Sequence, residues 1–193
     1  PRIFPAGAMI SQTSGHGDFR MRHDIPRGST TPLSEQEHQG VAAIADGEDE
    51  VLRRTREQLM LGASQIKLMA GGGVASLYDP LDSTQFTERE LRAAVDAAGD
   101  WGTYVMVHVY TPRGIQRALR AGVKSIEHGQ LADEEAARMM AGEGAWWSLQ
   151  PFLQDEDSNV SPDAARRESQ RQVAEGTVRA YELAQRFDIK TAW

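Results

Sequence analysis

Lys67 sits inside a short apolar run, Ile66-Lys67-Leu68-Met69, that leads into Ala70-Gly71-Gly72-Gly73, and two later strand-like segments each end on a histidine, His108 and His128. An unpaired ammonium in a buried strand costs several kcal/mol, so such a lysine is paired, neutralised or put to chemical use. Two neutral imidazoles and one oxygen ligand make a workable catalytic zinc sphere when a water completes it. An ammonium cannot coordinate a cation. A lysine that has captured carbon dioxide as a carbamate can, because it then offers two anionic oxygens and is able to bridge two metals.

These residues need elements that aim them at one place. The pattern is the same three times: an apolar strand ends, a polar ligand-type side chain occupies its last positions, and a Gly- or Pro-containing loop opens into a helix. Such ends converge at the C-terminal face of a parallel sheet or barrel. Hydrophobic spacing predicts strands starting near residues 3, 65, 103, 124, 145 and 190, with residues 2 to 11 as the first. Helices fall between them: Val51, Leu52, Thr55, Leu59 and Met60 repeat at helical spacing and Gly62 closes that pattern. Thr87 and Glu90 form a capping-box signature ahead of Leu91, Ala94, Val95 and Ala98. Pro112 occupies a first-turn position before Ile115, Ala118 and Leu119. Further helices are expected over Asp133 to Ala141 and Asp163 to Phe187, and a polar loop over Gln12 to Ser34. Alternating strands and helices imply an α/β fold with a parallel sheet and right-handed crossovers. With no GxGxxG turn, a (β/α)8 TIM-barrel-like architecture, incomplete in this chain, fits better than a Rossmann sheet. Residues 1–193 then form one partial barrel domain.

Bulk properties narrow the partners. The 193 residues carry a net charge of −7, which disfavours nucleic acid and anionic lipid, and 40% are hydrophobic, enough for a packed core. There is no cysteine, so a metal would have to be held by His, carboxylate or a modified lysine. No run approaches the ~20 apolar residues of a membrane span. The sequence opens on Pro1-Arg2-Ile3 without a signal-peptide pattern, so its ends look cut from something longer and the cytoplasm is only the default location.

Four segments carry a family resemblance: Ser14-Gly15-His16-Gly17-Asp18, Ile66-Lys67-Leu68-Met69-Ala70-Gly71-Gly72, His108-Val109-Tyr110-Thr111-Pro112 and Ser125-Ile126-Glu127-His128-Gly129. In this order they resemble the amidohydrolase superfamily, in its imidazolonepropionase-like branch with prolidase-type dipeptidases and carboxypeptidases and ochratoxin-hydrolysing enzymes. The resemblance implies a metal-dependent hydrolase that cleaves an amide or peptide bond of a dipeptide, N-acyl amino acid or related small molecule through a metal-bridged hydroxide. It implies a binuclear zinc centre in which Lys67 is the bridging carbamylated lysine and His108 and His128 are ligands of the second metal. Tyr110 corresponds to a tyrosine that meets the substrate carboxylate, and His16 to a substrate-side or electrophilic residue. Arg20 and Arg113 are further candidates for an anionic substrate end, since guanidinium pairs bidentately with carboxylate. Self-association is compatible with such a barrel. The family's His-x-His pair is absent from the 193 residues, and the sequence stops at Trp193, where the family continues into Gly-Thr-Asp. The resemblance thus implies that the chain holds about strands 3 to 8 of the barrel.

Plainer readings stand beside these. The chain could be an inactive barrel fragment or binding module, or a sugar- or phosphate-processing barrel in which Lys67 forms a Schiff base. Lys67 alone could snorkel from an edge strand, and His16 could simply serve its loop. His23 and His38 are expected at the surface. Trp146 and Trp147, though on opposite sides of one strand, are both expected in the core, and Asp155-Glu156-Asp157 in a solvated loop.

Overall fold

The computed structural model describes residues 2–24, 32–75, 78–153 and 160–192. Seven strands run parallel in one sheet: β1 (Met9–Ser11), β2 (Ala42–Ile44), β3 (Ile66–Met69), β4 (Val105–Val109), β5 (Ser125–His128), β6 (Trp146–Ser148) and β7 (Lys190–Ala192). Their order is β2-β1-β3-β4-β5-β6-β7. Helices fill the connections: α1 (Glu35–His38), α2 (Glu48–Met60), α3 (Glu88–Asp100), α4 (Pro112–Arg120), α5 (Glu134–Gly142) and α6 (Ala164–Arg186). This is the strand-helix alternation of an incomplete (β/α)8-type barrel, with β2 and β7 at its two ends.

Helix boundaries follow local chemistry. Thr87 Oγ1 accepts from the Glu90 amide while the Glu90 carboxylate takes the Thr87 amide at 2.7 Å, so α3 starts where the capping box places it. Asp133 and Asp163 cap α5 and α6 by accepting from Ala136 N and Arg166 N. Gly122, at φ +94, ends α4 in a backbone conformation closed to most residues.

Two strand expectations change. Residues 2–8 are not strand; Pro5 and the left-handed Gly7 (φ +70) hold the chain out of the ladder until Met9. A seventh strand, β2, lies where none was expected. Its Ala-Ala-Ile sequence has little strand propensity, yet all three residues are buried and pair with β1, Met9 beside Ala42 through Ser11 beside Ile44.

Register sorts the sheet into two faces. Ile10, Leu68, Val107, Ile126 and Trp147 are successive partners across five strands, each 0% exposed, in the core that also holds Leu91, Ile115, Ala118, Ala136, Met140 and Ala180 from the helices. The rungs on either side face the other way. Lys67, Met106, Ser125, Trp146 and Lys190 form one, and Met69, His108, Glu127, Ser148 and Ala192 the next. That inner face borders a cavity of about 500 Å³ lined by Tyr104, Met106, Glu127, Trp146 and Ser148 among others. Trp147 meets the core expectation. Trp146 does not: it is 47% exposed on the inner face, with Lys190 Nζ 5.8 Å from its ring centre.

Candidate active site

Lys67 is on the inner face because its neighbours Ile66 and Leu68 both belong to the helix-facing core. Its side chain is 16% exposed, with Nζ 3.9 Å from Glu127 Oε2 one rung further along. Burial brings the amine down to about 8, and the Glu127 charge opposes the fall without cancelling it. Glu127 also accepts from Ser125 Oγ at 2.8 Å.

His108 shares the rung of Glu127 and is buried. Its Nε2 lies 3.0 Å from the Gly72 carbonyl oxygen, which can only accept. Nε2 therefore carries the proton, and Nδ1 keeps its lone pair. Gly72 is required for this contact, because a Cβ there would stand 1.8 Å from the Pro80 carbonyl oxygen. Gly72 N donates to Ser83 O and Gly73 N to Asp79 Oδ2, so the glycine run is pinned against residues 79–83.

His128 breaks the strand alternation. Ile126 faces the helices and Glu127 faces inward, so a regular strand would turn the next side chain outward. Instead His128 adopts φ +72, and its ring lies against the other site residues: 4.7 Å from His108 and 5.2 Å from Tyr110 between centroids. Its carbonyl accepts from Trp147 Nε1 at 2.7 Å, and its Nδ1 is 2.7 Å from Gln150 Oε1.

Two further side chains complete the cluster. Tyr110, 4% exposed, packs edge-on to His108 at 5.1 Å and stacks on His128, and burial pushes its phenol up to about 12. His16 stacks on His108 with centroids 4.0 Å apart. Its backbone is held at both ends, by Gln85 Oε1 on the amide and Ser11 Oγ on the carbonyl, and its Nδ1 is 3.8 Å from Asp79 Oδ2. All three histidines are held below the ordinary imidazole range, chiefly by burial: His16 lowered, His108 well below, His128 to about 4. Each is a neutral ring at pH 7, the state in which imidazole offers a lone pair.

The structure thus brings Lys67, His108, His128, Tyr110 and His16 to one place. It does not bring the arginines there. Arg20 is 3% exposed and spends Nε and Nη2 on the two oxygens of Asp18, each at 2.8 Å, so it braces the Gly-His-Gly-Asp loop instead of meeting substrate. Arg113 is exposed at the start of α4 beside Arg117. His23 and His38 are exposed, as expected. The acidic run at 155–157 lies outside the described residues. Sequence reading missed three participants, Glu127, Asp79 and Gln150. Glu127 shares the alternation of inner-face residues, a signal that was available; the approaches of Gln150 to His128 and of Asp79 to His16 depend on how the loop after β6 and the glycine loop fold back.

Among the described residues no group of three or more His, Asp, Glu or Cys is arranged to hold a metal ion. Any such ion would depend on Lys67. A neutral amine can be carboxylated, and the tied Nε2 of His108 and tied Nδ1 of His128 leave one lone pair on each ring. That donor set fits a cation once the lysine has become a carbamate.

The fold and the convergent Lys-His-His cluster define a barrel segment of the kind that places its chemistry at strand ends. A family model described as "Amidohydrolase family" matches residues 1–189, and the chain belongs to that family. It is 38% identical over 151 residues to the ochratoxinase of Aspergillus niger, an alignment covering 75% of this chain and 31% of the relative. A prolidase solved in complex with N-methylphosphonate-L-proline is 38% identical with a TM-score of 0.88, over 100% of this chain and 48% of the solved one. The solved A. niger ochratoxinase is 32% identical with a TM-score of 0.85, over 100% and 45%. The chain therefore spans less than half the length of each of these proteins. No helix among the described residues is long and apolar enough to cross a membrane.

Proposed function

We propose that residues 1–193 form part of the barrel domain of a metal-dependent hydrolase of amide or peptide bonds, and that Lys67, His108 and His128 hold its metal. The observation that carries this reading is the meeting of a desolvated lysine with two neutral imidazoles, each tied by one nitrogen, on adjacent parallel strands. Relatives named as a prolidase and an ochratoxinase support the amide class.

Lys67 acts first. With its amine near 8, an appreciable share is neutral at physiological pH; the nitrogen adds to carbon dioxide, one proton leaves, and a carbamate anion remains. This removes the attraction to Glu127 3.9 Å away and sets two anions side by side, so the carbamate is favoured only when cations occupy the site with it. Divalent cations there, zinc as a pair being the best match to imidazole and carbamate oxygen, would polarise a carbonyl and lower the pKa of water. Tyr110 stays protonated far above neutral pH and donates to a substrate carboxylate or carbonyl. His16, neutral and stacked on His108, meets the same end of the substrate. The rings of His16, His108, Tyr110 and His128 pack against one another at that end. Dipeptides, N-acyl amino acids and related amides fit these groups. The cytoplasm and a homo-oligomeric state belong to the same proposal.

The test is metal content and turnover of the full-length protein prepared with zinc and bicarbonate. Lys67→Ala should lose at least one metal per chain and amide hydrolysis together. A variant with undiminished turnover refutes the assignment, and a wild-type protein free of metal would favour an inactive barrel or binding module.

A further inference from the structure

His108 and His128 are held by different kinds of partner. His108 is tied to a main-chain carbonyl, that of Gly72, which a change of side chain does not remove. His128 is tied to a side chain, Gln150, at 2.7 Å. Gln150 lies two residues beyond the end of β6, and its side chain reaches back to the His128 ring. Its main chain is anchored: its carbonyl accepts from Gln130 Nε2 at 3.1 Å and from Phe152 N at 2.9 Å. The same strand grips the backbone of His128 through Trp147 Nε1. At φ +72 the ring of His128 is not aimed by strand geometry, so contacts must aim it.

We propose that Gln150 is the positioning residue of His128, its carboxamide oxygen keeping the ring proton on Nδ1 and so leaving Nε2 as the nitrogen that offers a lone pair. An oxygen acceptor bonds only to a protonated ring nitrogen, and a neutral imidazole has one proton. Without the acceptor, nothing at that nitrogen favours one tautomer or one rotation of the ring. Partners of this kind orient metal ligands elsewhere, and their removal weakens metal binding about 10- to 100-fold. The inference rests on reading His128 as a ligand, and the experiment keeps the two apart.

Long-range proton–nitrogen correlation of the histidine rings in the metal-free, full-length protein at pH 7 reports the tautomer of His128, and zinc titration reports its consequence. The wild type should show the Nδ1–H form. Gln150→Leu should move His128 toward Nε2–H or a mixture and weaken zinc binding about 10- to 100-fold. Gln150→Glu, which keeps an acceptor at the same reach, should retain the Nδ1–H form and bind zinc within a few-fold of wild type. A Gln150→Leu protein still in the Nδ1–H form overturns the proposal, as does one that changes tautomer with zinc binding intact. If the wild type binds no zinc at all, the ligand reading fails, while the tautomer of the Leu variant still decides whether Gln150 sets the ring.

Discussion

Replacing Arg20 by Leu isolates a buried charge whose surroundings are well defined. Asp18 is 2% exposed and accepts from Arg20 Nε and Nη2, from the Arg20 amide at 3.2 Å and from Ser14 N at 2.8 Å. Burial by itself would raise its carboxyl, but the bonds and charge of Arg20 and the Ser14 amide outweigh it and hold the group below its ordinary value. Leu keeps the volume and removes the partner. Breaking a buried pair from one side costs about 3–5 kcal/mol, because the remaining charge is stranded. At about 2–4 °C per kcal/mol for a domain of this size, the midpoint should fall by roughly 6–20 °C. The sign with pH follows from the depressed carboxyl. Its contribution is complete above the unfolded-state value near 3.9 and is lost as pH falls through the lower folded value. The gap between wild type and Arg20→Leu should therefore be widest at neutral pH and begin to narrow already above about pH 4, where the stranded carboxyl, raised by burial once its partner is gone, takes up a proton; it closes further as the depressed wild-type carboxyl is protonated in stronger acid. Urea unfolding of both proteins from pH 7 down to pH 3 measures this directly. The pair is buried, so 0.5 M salt should change the gap little. A deficit under about 1 kcal/mol at pH 7, or one that grows in acid, would show that the pair does not behave as a desolvated ion pair.

Gly176 lies inside α6 with its Cβ position 2.3 Å from the Gln130 carbonyl oxygen, a backbone atom that no rotamer change can move. Gly176→Ala should lose more to this clash than the up to 1 kcal/mol it gains in helix propensity, a net destabilisation of about 1–2 kcal/mol in thermal unfolding; a stabilised variant would mean that α6 is free to withdraw. Trp147→Phe removes the donor to the His128 carbonyl from a fully buried position. It should cost about 1–3 kcal/mol for the unpaired carbonyl and the volume lost, with the tryptophan signal of the near-ultraviolet spectrum reduced; no loss of stability would show that the hydrogen bond does not hold the left-handed turn.

The helix-facing rung was legible before any coordinates, since Ile66, Leu68, Val105, Val107 and Ile126 alternate with other side chains inside short runs bounded by glycine and capping signals. What escaped were elements whose local chemistry argues against them. β2 is built of alanine and one isoleucine, and it becomes a strand because β1 offers it a ladder and both of its faces are covered. Trp146 looked like core because tryptophan usually is. Its parity with Lys67 and Met106 places it on the inner face instead, where the described chain supplies no second layer of helices. Arg20 looked like a substrate anchor in one dimension; Asp18, two residues before it, is the nearer anion and takes both ends of the guanidinium.

The site shows the same division between pattern and geometry. Lys67 and His108 were readable as inner-face residues, because each is flanked by residues of the opposite parity that end up fully buried. His128 was not, since alternation from Ile126 and Glu127 sends it toward the helices. Only the left-handed backbone at His128 reverses this, and a non-glycine residue held there costs about 1–2 kcal/mol. The next residue shows what sustains it. Gly129, at φ +73, carries no Cβ, and one there would lie 2.5 Å from Trp147 Nε1, the atom that binds the His128 carbonyl. Glycine after histidine is thus what lets the indole reach the turn, and the indole holds the turn that brings the imidazole back to Lys67.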